Sequence, residues 1–230
     1  MELISVIIPA FNAERFLADA ISSVVRQTPA ARIELIVVDD GSTDGTASVV
    51  ESVRNTIRRK DLTVAYHHQE HGGAGQARNT ALLCCTGTFI AFLDADDLWE
   101  ENKLLLQMEV LNNDESIQAV FGHVTEFVTG TPAGHRSPVQ LAPAYLPGTM
   151  LARREVFDQV GLFETGLAVG EFVDWYSRAL TQSIKTEMLP DVVLRRRLHD
   201  NNMGLSQKSS FGNYATILRA HLQRKREGNC

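Results

Sequence analysis

The chain opens on Leu3 to Ile8, an apolar run closed by Pro9, and from there buried-strand runs alternate with helical patterns through Leu111. A run this apolar is expected of a strand covered on both faces. Phe16, Leu17, Ala20, Ile21, Val24 and Val25 follow at helical spacing. Ile33 to Val38 reads as a second strand, then Val49, Val50, Val53 and Ile57 mark a second helix, with Ser42, Thr43 or Asp44 as its N-cap. Leu62 to Tyr66, a helix around Gln76 to Leu83, a strand at Phe89 to Leu93 and a helix carrying Leu104, Leu105, Met108 and Leu111 continue the pattern. Such alternation specifies an α/β fold with a mainly parallel, Rossmann-like sheet flanked by helices.

The second half is less regular. Ala119 to Val128 reads as a strand and Thr129 to Pro147 as a long loop, of the kind that binds or shields something. Short helices at Arg154 to Val160 and Glu171 to Gln182 precede strands at Ile184 to Leu189 and Val192 to Arg197, and the sequence from Tyr214 reads as a basic helix. At 230 residues with 44% hydrophobic content, one domain can bury a core. A formal charge of −6 argues against a nucleic-acid partner. Cys84, Cys85 and Cys230 make no disulfide framework, which points to the cytoplasm, and both Cys84 and Cys85 read as buried small residues. No apolar run approaches the roughly 18 residues of a membrane helix, and Met1 leads into strand sequence without a signal peptide. Peripheral contact with the inner face of a membrane stays open through the basic residues Arg219, Arg224, Lys225 and Arg226.

Ligands of open parallel sheets bind beyond the carboxyl ends of the strands. Three polar clusters fall there: Pro9 to Asn12, Asp39 to Ser42, and Asp94 to Asp97. An apolar strand that delivers Asp94 and Asp96 into a crevice suits Mg²⁺ or Mn²⁺ held with phosphates. Alternatively, Asp96 or Asp97 caps a helix entered by Leu98 and Trp99.

Val6-Ile7-Ile8-Pro9-Ala10-Phe11-Asn12, Val37-Val38-Asp39-Asp40-Gly41-Ser42-Thr43-Asp44, Gly72-Gly73 with Ala77-Arg78-Asn79, and Phe92-Leu93-Asp94-Ala95-Asp96-Asp97 resemble, in order, the pattern of family 2 glycosyltransferases. The resemblance implies a single GT-A domain over 1–209. Its nucleotide-sugar-binding half would be 1–111 and its acceptor-side half 112–209, with a basic helical tail at 210–230. It implies inverting transfer from a nucleotide-diphospho-sugar, usually a UDP-sugar, to a hydroxyl on a glycan, lipid-linked or peptide acceptor. Pro9, Phe11, Asn12, Asp39, Arg78 and Asp94 would bind the nucleotide. Asp96 and Asp94 would hold the metal. Arg197-Leu198-His199, followed by Asn201 and Asn202, resembles a segment that closes over the diphosphate, with Arg197 toward the nucleotide and His199 on the metal or a phosphate. Arg195 to Arg197 also fits a solvated strand edge, in which at most Arg195 and Arg197 share a face.

The general base is where the sequence departs from the family. With Arg178 fixing the register, Glu171 matches the family's glutamate, but Phe172 stands where the base is expected. Glu171 or Asp174 would then reach the acceptor, Glu171 having the longer side chain and the earlier position; alternatively Asp174 pairs with Arg178 across one turn. Trp175 and Tyr176 would stack on an acceptor sugar or belong to the core. Two other readings compete. A non-catalytic nucleotide-sugar-binding protein is separated by Mn²⁺-dependent hydrolysis of a UDP-sugar that Asp96→Ala abolishes. A nucleotidylyltransferase needs a glycine-rich basic loop after its first strand, which Pro9-Ala10-Phe11-Asn12 does not offer.

Overall fold

The opening apolar run becomes an inner strand of one large sheet in the computed structural model, which describes residues 2–130, 140–167 and 169–200. The first part follows the strand–helix alternation: β1 (Leu3–Ala10), α1 (Leu17–Val25), β2 (Arg32–Asp39), α2 (Thr46–Thr56), β3 (Leu62–His68), α3 (Ala74–Cys84) and β4 (Phe89–Phe92). These four strands run parallel in the order β3-β2-β1-β4. Ile4, Val6 and Ile8 of β1 pack with α1 residues Leu17, Ala20, Ile21 and Val24 on one face. Ile7 packs with Ala77 and Ala81 of α3 on the other. Both faces of the strand are therefore dry, the physical reason its sequence does not alternate.

Beyond β4 the sheet changes character. β5 (Leu98–Trp99), α4 (Lys103–Asn113), β6 (Ala119–Val128), β7 (Ala142–Ala144), a 3₁₀ turn at Pro147–Thr149, β8 (Leu151–Arg153), α5 (Arg154–Val160), α6 (Glu171–Thr181) and β9 (Thr186–Leu198) complete the described chain. The sheet continues as β4-β8-β6-β9-β5, with β7 on β6; β8 is antiparallel to its neighbours, and β6 and β9 run parallel. This mixed α/β sheet with helices on both faces is a GT-A fold.

Several local expectations are corrected. Leu98 and Trp99 are not a helix start, because Trp99 pairs with Leu194 and donates its indole N–H to the Gly148 carbonyl. Helix α4 begins only at Lys103, so neither Asp96 nor Asp97 caps it. The two strands expected after Ile184 are one strand, β9, whose register shifts between Met188 and Val192. Pro190, which has no N–H for the ladder, lies within that shift. The residue preceding α2 is Gly45; Asp44 nonetheless accepts the Thr46 N–H at 3.0 Å. Cys85 is buried, but Cys84 is exposed because it closes α3 on the solvent side. The expected loop holds β7 in its described part. Residues 131–139, Asn201, Asn202 and the basic tail at 210–230 lie outside the described residues.

Lys103 is wholly buried, with its ammonium 4.5 Å over the Trp99 ring and donating to Gln107 Oε1 and the Met150 carbonyl. Burial drives its pKa well below the ordinary 10.5. The unfolded chain binds that proton more readily, so stability rises with pH from the lowered folded value up toward 10.5. Lys103→Met should flatten this alkaline rise in urea unfolding curves followed up toward pH 10.5. An unchanged slope would refute the assignment.

Candidate active site

The register Ala10 to Asp39 and Ile7 to Phe92 brings the carboxyl ends of β1, β2 and β4 side by side. Two loops interlock at the first of these ends. Asn12 donates its N–H to Ser42 Oγ, and its side-chain oxygen accepts the Thr43 N–H, both at 2.9 Å. Asn12 sits at φ 47°, a left-handed conformation that asparagine tolerates. The ladder runs through Pro9 to Ala10 before this turn, and Phe11 is 48% exposed beyond it.

Asp39 is buried under this turn. Its carboxylate accepts the Ser42 N–H at 2.8 Å and the Tyr66 hydroxyl at 2.7 Å. Burial, then the hydrogen bond to Asp39 and its charge, push the Tyr66 phenol up to about 12. Asp40, which sequence reasoning passed over, organises the next loop. It accepts Gln69 Nε2 at 2.6 Å, Gly72 N–H at 2.9 Å and Gly73 N–H at 2.8 Å, and pairs with His71 Nδ1 at 2.8 Å. Gly73 sits at φ 88°, where a side chain would be strained, and starts α3 from that bend. The loop stacks His71 on Phe11 with ring centroids 4.2 Å apart. The signal for Asp40 and His71 was only adjacency to Asp39 and to Gly72-Gly73.

Ala77-Arg78-Asn79 uses each residue differently. Ala77 packs in the core; Asn79 exchanges two hydrogen bonds with the Phe163 backbone, each of 2.9 Å. Arg78 is only 3% exposed and joins two carboxylates distant in sequence. Its guanidinium donates to Asp94 Oδ1 at 2.7 Å and to Glu171 Oε1 at 2.5 Å. Its Nε has no partner among the described residues. Gly75 lets α3 approach α6 closely: a Cβ there would meet the Glu164 carbonyl oxygen at 3.2 Å and the Glu171 side chain at 3.4 Å. Partial burial raises the Asp94 carboxyl, whose side chain stays 43% exposed; Arg78 opposes the rise and Asp96 adds to it.

The third cluster joins β4 to the end of β9. Asp96 Oδ2 meets His199 Nε2 at 2.9 Å, and the His199 ring leans on Phe16 at 4.7 Å. Arg197 is enclosed. Its Nε donates to the Asp96 carbonyl at 2.8 Å, its other nitrogens reach Thr129 Oγ1 and Asp19 Oδ2 at 3.0 Å, and its guanidinium lies 4.6 Å from the Phe16 centroid and 4.8 Å from that of Phe127. Its backbone N–H goes to Asp97 Oδ1 at 2.8 Å. Burial, with Asp96 and Asp94 nearby, holds the Asp97 carboxyl well above the usual range. Arg195 flanks the same Phe127 ring, whereas Arg196 pairs with Glu126.

Among the described residues, no three His, Cys, Asp or Glu side chains gather closely enough to hold a cation unaided. The carboxylates of Asp94 and Asp96, with His199 beside them, nonetheless fit Mn²⁺ or Mg²⁺ completed by phosphate oxygens.

Helix α6 separates the two base candidates. Glu171 faces Arg78, while Asp174 is buried and accepts Arg178 Nε at 2.9 Å. Arg178 in turn ties down the Val160 and Leu162 carbonyls. Phe172 is buried against Phe121, Phe163, Trp175 and Tyr176. Trp175 is core as well, its indole N–H donated to the Gly161 carbonyl.

Residues 5–172 match the model of "Glycosyl transferase family 2", and the chain belongs to that family. Over 109 residues it is 46% identical to "UDP-Glc:alpha-D-GlcNAc-diphosphoundecaprenol beta-1,3-glucosyltransferase WfgD" of Escherichia coli, covering 47% of this chain and 41% of that one. The chain spans half or less of the length of the first curated relatives. Among solved structures, S. aureus TarS 1-349 in complex with UDP-GlcNAc superposes with a TM-score of 0.77 at 22% identity, over 97% of this chain and 66% of that one. The mannosyltransferase PcManGT from Pyrobaculum calidifontis, in complex with GDP-Man and Mn²⁺, gives 0.65 at 23%, over 88% and 59%. No helix among the described residues is long and apolar enough to cross a membrane.

Proposed function

We propose that the chain transfers a hexose or N-acetylhexosamine, with inversion, from a UDP-sugar to a hydroxyl acceptor. The observation that carries this reading is the Asp94–Arg78–Glu171 bridge, which joins a strand-end carboxylate to the first residue of α6. Phe11, Asn12, Pro9 and Asp39 would form the nucleotide pocket, with the exposed Phe11 ring as its stacking surface. Asp96 and His199, with Asp94, would hold Mn²⁺ or Mg²⁺. The cation supplies Lewis-acid stabilisation of the departing diphosphate when bound. Glu171 would accept the proton of the acceptor hydroxyl as it attacks from the face opposite the diphosphate. Asp174, engaged by Arg178, is better suited to holding α6 against α5. Arg78 and Arg197 would act by positioning these carboxylates and His199, a different role from contact with phosphate.

The names of the relatives support the donor class: one acts with UDP-Glc and another was solved with UDP-GlcNAc. A cytoplasmic location, with contact at the inner membrane face, belongs to the same proposal. Thermal-shift measurements with nucleoside diphosphates and their sugars, with and without Mn²⁺, test it. UDP and one UDP-sugar should raise Tm by several degrees, since a ligand at about 100 times Kd adds about 2.7 kcal/mol. If no nucleotide moves the transition, the reading fails. The burial of Phe172 keeps a second reading in view, a nucleotide-sugar-binding protein without transfer. UDP binding with no UDP-sugar turnover would favour it.

A further inference from the structure

We propose that Tyr145 and Tyr176 form a stacking platform for the pyranose ring of a carbohydrate acceptor. The inference rests on the transferase reading and narrows its acceptor from any hydroxyl to a sugar. It begins in the pairing of β6 with β7. Gly122 lies opposite Ala144 and His123 opposite Pro143, so the antiparallel register carries Tyr145 alongside Phe121. The Phe121 and Tyr145 rings meet edge to face at 5.0 Å. Tyr176 from α6 stacks on Tyr145 at 5.1 Å with 21° between the planes, and Phe172 lies parallel to Tyr176 at 6.2 Å.

Phe121 and Phe172 are buried and fix the inner edges of this cluster, while Tyr145 is 49% exposed. A ring held by packed neighbours is a preorganised surface, and ordering it on binding costs little. Its apolar face and hydroxyl edge match a pyranose, which is itself apolar on its C–H face and polar at its rim. A serine or threonine side chain presents no such face.

Strand alternation places His123 on the Phe121 face of β6, one pleat further along. Its Nδ1 is buried and has no hydrogen-bond partner among the described residues. Orphaned polar atoms of this kind call for a partner, and a sugar hydroxyl can donate or accept. The platform also shares α6 with Glu171, about 7.5 Å along the helix axis and about 140° around it from Tyr176. One rigid element would therefore set the acceptor ring and the candidate base together.

Saturation-transfer NMR with methyl glucoside, methyl N-acetylglucosaminide and chitobiose tests the platform, with UDP and Mn²⁺ present and a serine/threonine peptide as comparison. Ring C–H protons of at least one saccharide should be saturated by the wild-type chain. Tyr145→Ala should weaken that saccharide's affinity about tenfold or more, and Tyr145→Phe should restore it. Equal saturation in Tyr145→Ala, saturation of the peptide alone, or no saccharide contact would overturn the proposal. Melting shifts with UDP on the same samples separate the two readings. UDP binding without Tyr145-dependent sugar contact removes the platform only; Tyr145-dependent contact without UDP binding removes the UDP-donor reading and leaves the platform.

Discussion

Arg78→Met should lower the unfolding free energy by about 3 kcal/mol and reduce sugar transfer by roughly a thousandfold or more. The substitution leaves Asp94 and Glu171 turned toward one another with no cation between them. Breaking a buried pair typically costs about 3–5 kcal/mol, and the lower end applies because Asp94 keeps some solvent contact. Arg78→Lys should recover less than about half of the loss, because one ammonium cannot span two carboxylates as a planar fork does. Urea midpoints at constant slope measure the first effect and UDP release the second. A loss within about 0.5 kcal/mol would show that the bridge does not hold α6.

Arg197→Ala should have a comparable effect on stability, about 3 kcal/mol, through a different mechanism. Its guanidinium ties Asp19, Thr129 and the Asp96 carbonyl together between the Phe16 and Phe127 rings. Removing it frees the end of β9 and, with it, the His199 imidazole beside Asp96. Arg197→Lys discriminates between roles. A residue that contacts phosphate as a point charge tolerates lysine, whereas a sandwiched, multiply bonded guanidinium does not. Donor KM and Tm in the lysine variant should therefore follow the alanine variant. Wild-type KM and Tm in Arg197→Lys would restore the diphosphate-closing role that the family resemblance implies.

The first four strands and the helices between them were largely legible because their signals are local. The β1, β2 and β4 runs, the apolar stripe of α1 and the carboxylates behind β4 need only neighbours in sequence to be read. Leu98-Trp99, Ala142–Ala144 and Leu151–Arg153 carry no such signal. They are two or three residues long, and their strand character comes from ladders with distant partners such as Leu194 and Val124. The same holds within the site. Arg78 stood out as a motif residue, but nothing near it in sequence announces Glu171, 93 positions away. Asp174 and Arg178 were legible as a pair because one helical turn separates them. Phe172 read as a departure from the family, and its reason is tertiary: its ring fills a cluster built from β6, α5 and α6.

The double hydrogen bond between Asn79 and Phe163, together with the Gly75 approach to Glu164, ties α3 to the segment that joins α5 to α6. Recombination between relatives at a boundary near residue 111 would separate these hydrogen-bonded partners. Grafting the later half from a relative would then require α3 to travel with α5 and α6, so that the transplant is discontinuous in sequence although continuous in space.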